Sequence, residues 1–220
     1  MGIQSAGPYK LVAAQKNAQK TPRVYTNDDA PFNHPLDERA AEAHEKSSNL
    51  APSPEQATEK LAPFVPTPME VVGKMLDAAQ VTSRDVVYDL GSGDGRIVIM
   101  AAQKYGARAV GIELDRHLVE ESVENVRNAK LDALVTIVQG DLLKTNLNSA
   151  TVVAVYLLLG ANEKLRPILE KDLSPGTRVV AHDMRIPGWK PTSEESVAVD
   201  GIPHTIYLYR VPEAFRSQRE

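Results

Sequence analysis

The chain has 220 residues, of which 42% are hydrophobic and 25% are charged, a composition typical of a soluble globular protein. The formal net charge of −4 excludes a global positive field that would attract nucleic acid. Because the chain contains no cysteine, disulfides, thiolate zinc sites, iron–sulfur clusters and cysteine nucleophiles are excluded.

Targeting signals are weak along the whole chain. No run of about 18 apolar residues occurs, so we expect no membrane span. The N-terminus lacks the apolar segment of a secretory signal. Residues 1–27 contain four basic and no acidic side chains, which fits either a targeting segment or a solvated arm. We expect a cytoplasmic protein.

The N-terminal part of the chain differs in composition from the rest. Nine of the 15 prolines lie in the first 68 residues, where hydrophobic periodicity is poor. Short helices are predicted there at 35–46 and 53–61. We therefore divide the chain into an N-terminal extension (1–62), a core domain (63–212) and a C-terminal tail (213–220).

From Phe64 onward, short β-branched segments alternate with helical ones. Thr67 is predicted to cap the first helix, with Glu70 completing a capping box. Gly106 is predicted to end the second helix and Asp115 to cap the third. The predicted strands are 85–90, 108–114, 134–141, 151–158 and 176–183, followed by a hairpin over 196–211 that turns near Asp200–Gly201.

This alternation indicates an α/β fold with a doubly wound, mostly parallel sheet and helices on both faces. The closing hairpin is expected to add an antiparallel strand at one edge. Ligands of such sheets bind beyond the carboxyl ends of the strands, near the point where the strand order switches.

A glycine-rich loop stands at the end of the first predicted strand, in the sequence DLGSGDG (89–95). A P-loop is excluded because no Lys-Ser or Lys-Thr pair follows the glycines. A dinucleotide loop requires a third glycine where Arg96 stands, and Asp89 would repel a pyrophosphate. S-adenosylmethionine has a positive sulfonium and an ammonium that Asp89 would attract, and backbone N–H groups could hold its carboxylate.

Two more acidic residues end the next two strands. Glu113 could accept hydrogen bonds from both hydroxyls of a ribose. Asp141 could receive the adenine amino group, with Leu142 packing on the ring. Each acid has an alternative role, because acids at strand ends often only cap the following helix. Three acids at three successive strand ends favour a binding site for S-adenosylmethionine.

The sequence resembles the class I S-adenosylmethionine-dependent methyltransferases over residues 64–211. DLGSGDGRIVI (89–99) is similar to their first motif, GIELD (111–115) to the second and GDLL (140–143) to the third. The resemblance is greatest to small lysine methyltransferases related to the mitochondrial enzymes that modify the ATP synthase c-subunit and the adenine nucleotide translocase. It is carried by FVPTP (64–68), DLGSGDGRIV, and PGTRVVAHD with GWKP (175–191).

This resemblance implies a seven-stranded Rossmann-like fold with S-adenosyl-L-methionine as cofactor. It also implies transfer of a methyl group to the ε-amine of a lysine in a protein substrate. The cofactor contacts implied by the resemblance are Asp89, Gly91, Gly93, Glu113 and Asp141, with Thr67 near the methionine end. Ser92 and Leu142 complete the predicted set of cofactor-binding residues.

The segment after the fourth predicted strand indicates which nucleophile is methylated. VYLLLGAN (155–162) lacks the Asn/Asp-Pro-Pro-Tyr sequence that binds planar nitrogens, which favours an aliphatic amine. The predicted catalytic residues are Asp183 and Tyr156, with His182 as a weaker candidate base. Tyr156 and His182 could instead only pack in the fold. Trp189 could line the substrate channel or merely cover the sheet edge.

The remaining expectations concern metals, partners and alternatives. We predict no metal, because His34, His44, His117 and His204 are scattered along the sequence. We expect a protein partner with a lysine and no nucleic-acid partner. The alternatives are a methyltransferase of small molecules or lipids, and a noncatalytic module that binds S-adenosylmethionine. The N-terminal extension is expected to fold over the mouth of the active site.

Overall fold

The computed structural model describes residues 25–26 and 64–216. Its helices are α1 (Met69–Ala78), α2 (Arg96–Tyr105), α3 (Arg116–Asn128), α4 (Leu159–Asp172) and α5 (Glu213–Arg216). Its strands are β1 (Tyr25–Thr26), β2 (Val86–Leu90), β3 (Arg108–Glu113), β4 (Val135–Gln139), β5 (Val152–Val155), β6 (Arg178–His182), β7 (Ser193–Val199) and β8 (Ile202–Arg210).

The strands form one sheet in the order β1-β4-β3-β2-β5-β6-β8-β7. The pairs among strands β1 to β6 are all parallel, whereas β8 is antiparallel to both β6 and β7. The order switches next to β2, which lies in the middle of the sheet with all five residues buried. The predicted doubly wound α/β fold is confirmed.

Two details of the sheet differ from the prediction. The sheet has an eighth strand, because Tyr25–Thr26 of the extension pairs with Val138–Gln139 of β4. The antiparallel strand β8 lies between β6 and β7 instead of at the edge. The reason for its place is burial: Ile206 is buried in β8, whereas β7 is mostly exposed and takes the edge.

Two hydrophobic cores cover the two faces of the sheet. Helices α1, α2 and α3 contribute to one core, whereas α4 and α5 contribute to the other. Side chains of β2 alternate between them, with Val87 in the first core and Tyr88 and Leu90 in the second. This arrangement leaves the carboxyl ends of β2, β5 and β6 side by side.

The helix boundaries test the predicted caps. The C-cap at Gly106 and the N-cap at Asp115, which accepts from the His117 N–H at 3.0 Å, are confirmed. The predicted cap at Thr67 is wrong, because α1 begins one residue later, with Pro68 at the N-cap position and no side-chain cap. The Thr67 hydroxyl instead lies 3.2 Å from Nδ1 of His182.

Some predictions fall outside what the structure describes. The helices expected at 35–46 and 53–61 lie outside the described residues, and the division into extension, domain and tail remains a prediction. Within residues 64–216, none of the helices is long and apolar enough to cross a membrane.

A buried ion pair anchors the start of β2. Asp85 pairs with the guanidinium of Arg178 and accepts hydrogen bonds from the Thr82 N–H at 2.8 Å and the Thr151 hydroxyl at 2.8 Å. Arg178 also donates to the carbonyl of Ala79 at 2.7 Å. This cluster joins the loop after α1 to β2 and β6.

We expect Asp85→Ala to reduce the free energy of unfolding by about 3–5 kcal/mol, because it leaves the Arg178 guanidinium buried without its partner. Equilibrium denaturation by urea measures the change. Asp77→Ala is the control: Asp77 pairs with Lys104 at 3.3 Å, and about half of each side chain is exposed. It should cost less than about 1 kcal/mol. Equal losses in the two variants would contradict the assignment.

Candidate active site

The glycine loop after β2 has the backbone that its sequence predicts. Gly91, Gly93 and Gly95 have φ values of 88°, 54° and 82°, in the left-handed region that favours glycine. A Cβ atom on Gly93 would collide with the ring of Phe64. Glycine is therefore required at this position by both the backbone conformation and the aromatic ring above it.

Three N–H groups of this loop are bonded within the protein. The N–H groups of Gly91 and Ser92 both donate to the carbonyl of Ile112 at 2.9 Å. The Gly93 N–H donates to Oε2 of Glu113, also at 2.9 Å. The expectation that such N–H groups hold a ligand carboxylate therefore has no support at these three positions. What the structure shows for these glycines is their left-handed backbone and, at Gly93, the close ring of Phe64.

Asp89, at the penultimate position of β2, is almost completely buried, with 2% of its surface exposed. Burial, and then the charges of Glu113 and Asp94, raise the pKa of its carboxyl from 3.8 to about 8. Carboxylates thus surround the glycine loop, and a cationic ligand would offset their mutual repulsion. The sulfonium and ammonium of S-adenosylmethionine fit this site, whereas a pyrophosphate does not.

The other two predicted acids lie at the carboxyl ends of β3 and β4 and make local contacts. Glu113 spans the loop, because its Oε1 accepts from the N–H groups of Leu114 and Asp115 while Oε2 binds Gly93. Oδ1 of Asp141 accepts from the Leu143 N–H at 2.9 Å and so caps a short 3-10 turn. The capping alternative is thus observed for Asp141.

Ser92 and Leu142, two further residues of the predicted cofactor set, are both buried. Ser92 is 5% exposed, and its hydroxyl has no hydrogen-bond partner among the described residues. A Cβ atom on Gly111 of β3 would lie only 2.7 Å from this hydroxyl oxygen, so glycine at position 111 leaves room for the Ser92 side chain. Leu142 belongs to the hydrophobic core on the α4 face. Their contacts with a cofactor remain predictions.

The segment before α1 connects the glycine loop to the end of β6. Arg96 donates to Oδ1 of Asp94 at 3.0 Å and to the carbonyl of Thr67 at 2.8 Å. The Thr67 side chain contacts Nδ1 of His182 at 3.2 Å. Arg96, which replaces the third glycine of a dinucleotide loop, therefore holds this segment in place.

The structure brings the two predicted catalytic residues together beyond the ends of β5 and β6. Tyr156 follows β5, and its ring centroid lies 4.0 Å from that of His182. Asp183 follows β6 with a left-handed φ of 56°. Its Oδ1 accepts from the Thr205 N–H at 2.7 Å, while Oδ2 lies 3.1 Å from Nδ1 of His204.

The ionisation of this group follows from its burial. Burial lowers the pKa of His182 to about 4 against the opposing effect of Asp183, so the imidazole is neutral near pH 7. Burial, and then the charge of Asp183, raise the pKa of Tyr156, which keeps its phenol protonated. His182 and Tyr156 are therefore both uncharged near pH 7.

Sequence reasoning missed the place of His204 in the site and left open whether Trp189 lines a channel. His204 is remote from His182 and Asp183 in the sequence, but β8 places it beside both. The antiparallel pairing of the hairpin with the fifth predicted strand was the signal that could have found it. Trp189 does not line a channel: it is 5% exposed, packs in a hydrophobic core and donates to Glu170 at 3.0 Å.

Comparisons with known proteins agree on the type of reaction. A family model described as the ANTKMT methyltransferase domain matches residues 89–193. A protein-lysine N-methyltransferase of Saccharolobus islandicus is 43% identical over 152 residues, which cover 69% of this chain and 94% of the relative. The lysine N-methyltransferase of Homo sapiens that is named for the ATP synthase c-subunit is 34% identical over 67% of this chain and 60% of the relative.

A solved structure has a similar fold and a bound ligand. The crystal structure of an RNA methyltransferase from Salinibacter ruber in complex with S-adenosyl-L-homocysteine has a TM-score of 0.65 and 48% sequence identity to this chain. The match covers 71% of this chain and 99% of that protein. The chain belongs to the class I S-adenosylmethionine-dependent methyltransferases, in the family that includes the protein-lysine N-methyltransferase of Saccharolobus islandicus.

Proposed function

We propose that this methyltransferase acts on the ε-amine of a lysine in a protein substrate. The observation that carries the proposal is the group of side chains beyond the ends of β5 and β6, where the methyl acceptor would bind. The carboxyl group of Asp183 and the phenol of Tyr156 lie near one another there, and Leu157, Leu158 and Leu159 stand where Asn/Asp-Pro-Pro-Tyr would bind a planar nitrogen. The names of the lysine methyltransferases among its relatives support the same substrate.

We assign the cofactor to the region around the glycine loop, with the eight residues predicted from the sequence. When bound, S-adenosylmethionine supplies a methyl group on a positively charged sulfur. Asp89 would balance the positive charge, and Gly91 and Gly93 would allow close approach to the backbone. Glu113 would bind the ribose, while Asp141 and Leu142 would contact the adenine. Thr67 lies between Arg96, which follows the glycine loop, and His182.

Asp183 is placed to assist methyl transfer through charge. A free lysine has a pKa of about 10.4, so presenting it as a neutral amine near pH 7.4 costs about 4 kcal/mol, which burial of the substrate can partly supply. The lone pair of the neutral amine would accept the methyl group that the cofactor supplies, the C–S bond of the cofactor would be lost in exchange, and the extra proton on nitrogen would leave to solvent. Positive charge develops on nitrogen during this step, and the Asp183 carboxylate stabilises it.

The partner and the compartment complete the proposal. We infer a protein partner, a cytoplasmic location and an extension that folds over the mouth of the site. Support for the last point comes from Tyr25 and Thr26, which pair with the last two residues of β4, close to Asp141. The similar protein from Salinibacter ruber is described as an RNA methyltransferase, so RNA must be tested directly as a substrate of this chain.

We expect Asp89→Asn to change the pH dependence of folding stability and to abolish cofactor binding. In the unfolded chain Asp89 ionises near its ordinary pKa of 3.8, whereas the folded protein keeps it protonated up to about 8. Folding stability therefore falls as the pH rises from about 4 to about 8. Between about pH 6.5 and about pH 8.5, the ligand-free wild type should lose several degrees of melting temperature more than the variant.

The same melting experiment, repeated with S-adenosylhomocysteine, tests binding. The wild type should be stabilised and Asp89→Asn should not. The exposed residue Asp132 offers the control, because Asp132→Asn should keep both the pH dependence and the ligand shift of the wild type. A full ligand shift in Asp89→Asn would show that the cofactor site is wrongly assigned.

We expect Asp183→Asn to lower kcat about 100-fold while cofactor affinity changes less than about threefold, because the carboxylate acts on the transition state. The amide oxygen can still accept from the Thr205 N–H, so the fold should be kept. Asp200→Asn, at the exposed turn of the same hairpin, is the matched control and should retain full activity. Steady-state kinetics with a protein that the wild type methylates measures kcat for both variants. An unchanged kcat in Asp183→Asn would show that Asp183 has no role in methyl transfer.

The substrate class is tested by transfer of labelled methyl groups. The protein is incubated with methyl-labelled S-adenosylmethionine and separate protein, RNA and lipid fractions of a lysate, in the presence of excess chelator. We expect label in the protein fraction that is recovered as methyllysine after acid hydrolysis and is missing with Asp89→Asn. Label in RNA or lipid alone would overturn the proposed substrate, and cofactor binding without any transfer would favour a noncatalytic module.

A further inference from the structure

The side chains of His182, Asp183 and His204 form a compact triangle at the edge of the sheet. Nε2 of His182 lies 3.0 Å from Nδ1 of His204 and 3.2 Å from Oδ2 of Asp183. Nδ1 of His204 lies 3.1 Å from the same Oδ2. One nitrogen or oxygen atom from each of three side chains thus lies within 3.2 Å of the other two.

Hydrogen bonds alone do not satisfy this triangle while Asp183 is ionised. Each imidazole nitrogen is either a donor or an acceptor. If both nitrogens carry protons, two N–H groups face each other across 3.0 Å. If either nitrogen lacks its proton, its lone pair lies close to the carboxylate oxygen, with the two atoms 3.1 or 3.2 Å apart. At least one edge of the triangle is therefore repulsive, and a cation bound by all three atoms removes that repulsion.

The size of the triangle fits a transition-metal ion. An ion about 2.1 Å from each atom would lie about 1 Å above their plane, with ligand–metal–ligand angles of about 95°. Such angles suit three ligands on one face of an octahedron. A lysine ammonium is a poorer fit, because at a hydrogen-bonding distance of about 2.9 Å the same atoms would subtend only about 65°, well below the angles between its N–H bonds.

The surroundings hold the three ligand atoms in place. The His182 side chain is fully buried, and the hydroxyl of Thr67 contacts its second ring nitrogen at 3.2 Å, as metal-binding histidines require. The backbones of Asp183 and Thr205 are joined by a hydrogen bond of 2.7 Å between β6 and β8. The side chains of Asp183 and His204 are 24% and 12% exposed, so an ion can reach them from solvent.

We propose that His182, Asp183 and His204 bind a divalent first-row transition-metal ion, of which Zn²⁺ is the representative probe. The site replaces the expectation that the chain holds no metal. Because the ion takes the carboxylate oxygen of Asp183, its binding competes with the lysine amine and inhibits methyl transfer. The proposal concerns metal binding and does not require the substrate to be a protein.

Calorimetric titration of the full chain with Zn²⁺ alone tests this proposal. We expect one site per chain in the wild type and affinity at least about tenfold weaker in His204→Ala. His117→Ala is the matched control, since His117 is an exposed histidine on α3, and it should bind Zn²⁺ like the wild type. Equal binding by all three proteins, or no binding by the wild type, would overturn the proposal.

A second measurement keeps the test valid if His204→Ala does not fold. A crystal of the wild-type protein soaked with Zn²⁺ should show an anomalous peak within bonding distance of all three atoms, and a peak elsewhere would contradict the site. The label-transfer experiment with excess chelator does not depend on the metal. Failure of the metal proposal and failure of the proposed function are therefore distinguishable.

Discussion

The buried carboxyl of Asp89 is the constraint on which the rest of the site depends. It lies in the central strand β2, where the sheet order switches, and 2% of its surface is exposed. Its ionised form is disfavoured by burial and by two neighbouring acids, so a cation must accompany its charge. A buried carboxyl beside a loop of glycines with left-handed backbone suits a cofactor with a positively charged sulfur.

The segment at residues 64–68 connects the glycine loop to His182 at the end of β6. Phe64 lies over Gly93, Arg96 holds the Thr67 carbonyl, and the Thr67 hydroxyl contacts His182. Substitution of Thr67 or Arg96 would therefore disturb both halves of the site at once. This coupling explains why an arginine occupies the position at which dinucleotide-binding loops need a third glycine.

Local signals predicted most of the fold, and long-range pairing accounts for what was missed. The glycine loop, the Gly106 and Asp115 caps and the parallel strands all follow from neighbouring residues, and the structure confirms them. The position of β8 between β6 and β7, and with it the location of His204, depends on partners more than 20 residues away along the chain. A strand of two residues such as β1 has no periodicity to detect.

The most direct test of this account measures the protons released when the cofactor binds. Calorimetric titration near pH 7 with S-adenosylmethionine, in buffers of different ionisation enthalpy, gives the number of protons exchanged. Because Asp89 is protonated below about pH 8 in the free protein and must ionise to balance the ligand, we expect release of close to one proton per site. Asp89→Asn should show neither binding heat nor proton release, as expected from its loss of cofactor binding. Binding of S-adenosylmethionine by the wild type without proton release would contradict the account.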